Sequence, residues 1–413
     1  MPCDGPHGTP PYGNKKMNEN QNCPTSPPSD ALAGLARNAA AIEDFIESHL
    51  VDGDGLLRCY VNADTLEPWT AEEFQRHNYT IHFHKVERGT AFGALAYEDS
   101  LMATAEFALG RIAKHECTGE ALPLAAAARQ ASAIHAVFRE GEKFEVGYLP
   151  KPHGGLAKAS WSHEISHDQY IKSILALRTF QRYAPTSQKK AIDRQIVSAA
   201  DYFIVRNFQY PRRECMVVTP ETRAHTLALY IPLLVLAGKI TGNASYTERL
   251  PRFDALLSAL ASGSWVGDLD HLNANSSSLL VEGFHLALEE GHQDPRLTTI
   301  IGNLWERHMA LIGEDGLSPE DSGQSYRSAR VLRVAAFAPI VDTYFPGVDA
   351  SKAAIKMLHA LNDPRRMLCC LDSGVPTMDP FLHKAVCELG LTSWLLAYWR
   401  LVGQSRAGAP KGP

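Results

Sequence analysis

The sequence predicts an all-α protein built as an (α/α)6 toroid, twelve helices paired into six hairpins around one axis. Three observations carry this. From Ala31 onward apolar residues recur at i, i+3 and i+4, with almost no alternating segments of the kind strands need. The helical segments come in pairs joined by short turns, while the connections between pairs are long. That short–long alternation repeats roughly every 50 residues, the period of stacked helical pairs. Pairing of the first segment with the last closes the ring; an open solenoid, acting as a non-enzymatic interaction scaffold, does not require connections so unequal.

The elements follow in order. Residues 31–50 place Leu32, Leu35, Ala39, Ile42, Phe45 and Leu50 on one amphipathic face. Residues 51–95, holding Arg58, Tyr60, Trp69, His82 and His84, are too long for an idle loop and point to function or to hidden short strands. Segments 96–117 and 121–143 turn at Thr118-Gly119-Glu120, and 165–184 and 186–207 at Ala184-Pro185-Thr186. Segments 224–241 and 245–262 turn at Thr241-Gly242-Asn243, where glycine supplies the helix stop. Segments 276–291 and 294–312 meet around Asp294-Pro295, and 327–345 and 349–362 around Phe345-Pro346-Gly347. A last helix, 380–402, opens at Asp379-Pro380, a cap followed by proline at the first helical position.

Composition narrows the function classes. Apolar residues make up 45% and charged residues 21% of the 413, an ample core for a globular chain. A net charge of -6 offers no basic footprint, which argues against a nucleic-acid partner. No run of 18 apolar residues occurs, so no membrane span is expected. The first 30 residues are polar and rich in Pro, Gly and Asn, without a secretory core; they read as a disordered tail, and the compartment as cytoplasmic. Residues 403–413 read as a second flexible tail around a single catalytic domain, 31–402. The eight cysteines are scattered, without C-x-x-C, and imply no disulfide framework.

In a closed ring the long connections all lie at one end and lead into inner helices. Six loops and six helix N-termini then surround one cavity, and those N-termini favour an anionic or carboxylated ligand. The rim would carry Tyr97-Glu98-Asp99-Ser100, then Ser166-His167-Asp168-Gln169, then Arg223 and His225, then Asn273 and Asn275. Gln324, Tyr326, Arg327, Asp379 and His383 complete the helix starts, and the loops add Arg58, Tyr60, Trp161, Trp265 and the Pro150–Gly155 segment, whose Gly154-Gly155 reads as a flexible rim. Aromatic platforms beside carboxylates, Asn and Arg describe a cavity for a small sugar or oligosaccharide, with no cofactor. One Asp near a helix start is usually only a cap; a ring of such starts asks for more. Asp99 and Asp168 weigh most, because adjacent inner helices, about 8–10 Å apart, can present two carboxyl groups at the ~5–10 Å separation that glycoside chemistry uses.

Twelve helices with Asp in Tyr-Glu-Asp-Ser-Leu at the start of the second and in Ser-His-Asp-Gln-Tyr at the start of the fourth resemble the six-hairpin glycosidases. Among these, the unsaturated glucuronyl and rhamnogalacturonyl hydrolases carry inner-helix aspartates in this arrangement. The resemblance is architectural and spans about residues 31–402. It implies that Asp168 donates a proton to the C4–C5 double bond of an unsaturated uronide and activates the water that adds at C5. Asp99 would be its modulating partner, and Arg223 or Arg327 would hold the uronate carboxylate. Uronate lyases and sugar epimerases share the frame and use Tyr and His, for which Tyr60, Tyr97, His163, His167 and His225 are available. Trp161, Glu164, Gln169, Asn275 and Tyr326 join Arg58 as substrate-binding candidates.

His163-Glu164-Ile165-Ser166-His167 also fits the H-E-x-x-H pattern of zinc proteases. Against it, positions 170 and 173 are Tyr and Ser, no Glu occurs between Glu164 and Glu214, and the motif straddles a helix start. A metal-free site in which the histidines tune Asp168 fits better.

Overall fold

The computed structural model describes residues 29–62, 65–67, 70, 72, 96–156, 165–212, 216–264, 272–318, 327–362 and 385–407. Trp69, His82, His84, Trp161, His163, Glu164, Trp265, Gln324, Tyr326, Asp379 and His383 lie outside these residues, as do most of the two tails.

Twelve α-helices are found among the described residues. The first hairpins are α1 (Ser29–Phe45), α2 (Ser100–Thr118) with α3 (Ala121–Glu142), and α4 (His167–Phe180) with α5 (Thr186–Val205). Then come α6 (Leu227–Thr241) with α7 (Asp254–Ala261), and α8 (Ala274–Glu289) with α9 (Pro295–Met309). The array ends with α10 (Arg327–Tyr344), α11 (Ala350–Ala360) and α12 (Glu388–Ala407). The even-numbered helices form the inner ring. α12 packs against both α10 and α2, and α1 lies on α12, so the ring is closed and the fold is the (α/α)6 toroid.

Local chemistry sets the turns. Gly119 ends α2 at φ 74°, returning its N–H to His115, and Gly242 ends α6 at φ 68°; glycine adopts this left-handed cap without the Cβ clash other residues meet. Asp294 caps α9 through the Arg296 N–H at 2.9 Å, ahead of Pro295 at the first helical position. Two short sheets lie among the connections. Strand β1 (Tyr60–Asn62) pairs with β4 (Ala385–Cys387), Val61 opposite Val386, joining the connections that lead into α2 and α12. Strands β2 (Tyr210–Arg212) and β3 (Met216–Val218) form a hairpin between α5 and α6.

Several boundaries differ from the sequence expectation. The last helix begins at Glu388 rather than 380, since residues 385–387 are extended in β4. Segment 245–262 splits into a 3-10 stretch, Thr247–Phe253, and α7, because Pro251 removes an amide donor. Residues 46–50 form a π turn after α1, and α4 begins at His167 because Ser166 is extended (φ −120°, ψ 116°).

The core runs from Leu32 to Leu401 without a break between hairpins. Tyr170, Phe203, Tyr230 and Phe253 link α4, α5 and α6 through ring centroids 5.1, 5.2 and 6.0 Å apart, each such pair contributing about 0.5–1.5 kcal/mol beyond area burial. The stretch Ala224–Thr241 is long and apolar enough to cross a membrane by length and composition, and 78% of it is buried in this core. At the turn-bearing end of the inner helices, opposite their N-termini, a cavity of about 860 Å³ is bordered by Arg178, Lys239, Glu290 and Arg400.

Candidate active site

The first two or three turns of the inner helices are almost wholly buried and leave few places for charge, so the charges they carry are informative. Asp99 occupies the residue before α2 and Asp168 the second residue of α4. Asp99 makes no side-chain capping hydrogen bond, whereas Asn273 caps α8 through the Ser276 N–H at 3.0 Å. The carboxyl of Asp99 is therefore not spent on ending a helix. Gln169 Nε2 donates to the backbone oxygen of Glu98 at 2.5 Å, which draws the start of α4 against the start of α2.

Asp168 is held from two sides. His167 Nε2 lies 2.6 Å from its Oδ1, and Asn275 Nδ2 donates to its Oδ2 at 2.9 Å. The second nitrogen of His167, Nδ1, meets the Tyr210 hydroxyl of β2 at 2.5 Å. A histidine is fixed in tautomer and orientation by the partner of its far nitrogen, and here that partner is the β2–β3 hairpin. The His225 ring stands beside that of His167, centroids 4.5 Å apart. On the other flank, Arg333 Nη1 donates to Asn275 Oδ1.

Asp99 is partly exposed and donates its backbone N–H to Cys59 Sγ at 3.0 Å. Burial pushes its carboxyl up to about 6, and the charges of Glu98 and Asp168 act in the same direction, against Lys151 and Arg333. Its neighbour Glu98 goes the other way. Burial alone would raise it, but the Lys151 ammonium and His153 bring it down to about 2. Lys151 pairs with Glu98 Oε1, and His153 Nε2 lies 3.1 Å from Oε2. Two adjacent carboxyls are thus driven apart in proton affinity, the pattern that separates an acid from a base in one pocket.

The Pro150–Gly155 segment contributes side chains to the site. Lys151 and His153 are buried, and Gly155, at φ +82°, sits where a Cβ would come within 3.1 Å of the Tyr97 ring. Tyr97 donates its hydroxyl to Asp52 Oδ2 at 3.0 Å. Burial and Asp52 push the phenol up to about 12, with Arg58 opposing, so Tyr97 keeps its proton at neutral pH.

Of the residues expected at the site, Arg58, Tyr97, Asp99, His167, Asp168, Gln169, His225 and Asn275 come together. Arg223 is half-buried just before the 3-10 turn that carries His225. Tyr60 lies in β1 and Arg327 opens α10, placed by backbone only. Tyr210 and Arg333 were not picked out, and Glu98, Lys151 and His153, though placed at the rim, were given no role. Arg333 did leave a signal, a lone charge between Leu332 and Val334 in an apolar run.

His167, Asp168 and His225 offer three ligand atoms within 4.8 Å of one another, a donor set suited to a transition metal. This is a different set from the H-E-x-x-H motif: α4 begins at the motif's second histidine, and His163 and Glu164 lie outside the described residues.

No known family model matches the sequence, and no curated protein matches it. The fold itself is shared with solved structures. An unsaturated glucuronyl hydrolase specific for heparin superposes with a TM-score of 0.55 at 10% identity, over 91% of this chain and 97% of its own. A possible member of the GH105 family from Klebsiella pneumoniae superposes at 0.50 with 13% identity, over 96% and 99% of the two chains.

Proposed function

We propose that this protein is a carbohydrate-active hydrolase that cleaves an unsaturated uronide or a related acidic oligosaccharide by carboxylate acid–base chemistry. One observation carries the reading: two aspartates at neighbouring inner-helix starts, one held by a histidine and an amide donor, the other biased toward its protonated form. The toroid shared with an enzyme described as an unsaturated glucuronyl hydrolase gives the reading its substrate class.

The electrostatics divide the roles more evenly than the sequence resemblance implied. Asp99 retains a proton closer to neutral pH and is suited to deliver it to the sugar. Asp168, facing the Asn275 N–H and His167, is suited to take a proton from the attacking water. For an unsaturated uronide the balance is simple. One proton goes to C4, hydroxide from water adds at C5, the water's second proton goes to the carboxylate, and the resulting hemiketal opens to release the partner sugar. Arg58, Arg223 and His225 would face the substrate's carboxylate, and the long connections would hold the remaining sugar units. The reading takes the enzyme to act on a soluble saccharide.

The test is a panel of unsaturated and saturated uronides assayed with the wild type and with Asp168→Asn. Turnover of an unsaturated uronide, lost by at least about 100-fold in the variant, is the expected result. Activity undiminished by Asp168→Asn would overturn the assignment.

A further inference from the structure

The start of α4 and the turn before α6 bring two imidazoles and a carboxylate to one point. His167 and Asp168 open α4, and His225 sits in the 3-10 turn Ala224–Thr226 that leads into α6. One donor atom from each residue lies within 4.8 Å of the other two. His167 carries the decisive detail. It is 3% exposed, and its Nδ1 is committed to the Tyr210 hydroxyl at 2.5 Å. Its Nε2 is 2.6 Å from Asp168 Oδ1, a hydrogen-bond length, but the ring's N–H direction misses that oxygen, and Nε2 makes no hydrogen bond among the described residues. With the ring hydrogen on Nδ1, donated to Tyr210, Nε2 presents a bare lone pair beside a carboxylate oxygen. With a hydrogen on Nε2, that hydrogen is buried without an acceptor, at the cost of a lost hydrogen bond. Two facing electron-pair donors repel unless a cation joins them, and a histidine whose far nitrogen is fixed by a second group is how metal ligands are usually held.

We propose that His167 Nε2, Asp168 Oδ1 and His225 bind a divalent transition-metal ion of the zinc type, and that the bound ion silences the enzyme. Two imidazoles with one carboxylate suit such an ion better than magnesium or calcium, which call for oxygen donors throughout. Donors about 2.0–2.2 Å from zinc in a tetrahedron stand ~3.4 Å from one another. The separations here, from 2.6 Å to at most 4.8 Å, bracket that edge, so small side-chain adjustments close the site. Three protein ligands leave the fourth position to solvent. Tyr210 stands behind the ligand and keeps Nε2 the bare nitrogen. The binding stands apart from the function proposed above; the silencing rests on it. With Oδ1 on the ion and Oδ2 accepting from Asn275 Nδ2 at 2.9 Å, Asp168 has no oxygen turned to the attacking water.

Cobalt(II), which takes the same donors as zinc and absorbs visible light, is the probe. Titrated into the full chain at neutral pH, it is expected to bind one ion per chain with ligand-field bands that zinc then bleaches. His225→Gln and Asp168→Asn each remove a ligand and should weaken binding by more than about 100-fold, whereas Tyr210→Phe, which alters only the group behind His167, should weaken it by about 10–100-fold and keep the bands. Circular dichroism checks that each variant is folded, and the two ligand variants lie on different elements, so either one decides alone. No bands in the wild type, or bands that survive loss of a ligand in a folded variant, mean adventitious binding at other histidines and overturn the proposal. An affinity unchanged in Tyr210→Phe overturns it as well. In turnover of an unsaturated uronide, saturating zinc should cost about 100-fold, the scale of a lost proton acceptor, and a chelator should restore the rate. Turnover unchanged or raised by zinc refutes the silencing. A wild type with no turnover at all counts against the function proposed above and not against the site, which the cobalt spectrum decides without substrate.

Discussion

Replacing Asp99 by Asn should make the protein more stable while making it a worse catalyst, and pH should govern the first effect. The folded protein raises the Asp99 carboxyl from its ordinary 3.8 to about 6, through burial first and the charges of Glu98 and Asp168 second. Below the unfolded value the group is protonated in both states and costs nothing. As pH rises from there through about 6 the folded state loses stability relative to the unfolded one, and above that the full cost is present. Two units at 1.36 kcal/mol each set a ceiling of ~3 kcal/mol. Because Asp99 keeps some contact with solvent, about 1–3 kcal/mol is the expected gain for Asp99→Asn at pH 7.5, and almost none at pH 4. Urea denaturation of both proteins at the two pH values measures this, read as a shift in midpoint at unchanged slope. Activity should fall by about 100-fold or more, the scale of a lost acid–base group. A variant no more stable than wild type at pH 7.5, or one equally stabilised at both pH values, would refute the electrostatic account.

Glu98→Gln should do the reverse. It takes the Glu98 carboxylate from the buried Lys151 ammonium and should cost about 3–5 kcal/mol at neutral pH; since Glu98 sits near 2 in the folded protein, that contribution is present above its ordinary 4.5 and fades as pH falls through about 2, which stability curves across that range will show. The same change removes a charge that holds Asp99 up, so the limb of the pH–activity profile belonging to Asp99 should move to lower pH. Lys172→Met removes the buried cation between Glu106 and Glu282, leaving Glu282 only Arg400 and Glu106 only the attraction of Arg333, and should destabilise by about 3–5 kcal/mol, measurable by thermal unfolding. Gly155→Ala strains a φ of +82° and crowds the Tyr97 ring; lowered turnover with an intact far-ultraviolet circular dichroism spectrum is the expected readout.

The alternation of short turns and long connections was enough to read the ring, because a helical pair that cannot bury its own face must stack on neighbours. Helix ends such as Gly119, Gly242 and Asp294-Pro295 were legible for the same local reason: caps are decided within a turn of chain. Asp99 and Asp168 could be picked out because both lie at the starts of inner helices, where the long connections converge. Their partners could not. Lys151, His153, Tyr210 and Arg333 reach the site from a loop, a hairpin and a helix distant in sequence, and no periodicity encodes which of them will meet which carboxyl. Lone charges such as Glu106, Lys172, Glu282 and Arg333 inside apolar helices announced only that something must pair them, since an unpaired buried charge is too costly to keep. Closure of the ring chose the pairs. The sequence by itself determined the toroid and the two carboxyls at its rim; tertiary structure alone decided which of them holds its proton, because proton affinity depends on burial and on charges that only the folded chain brings together.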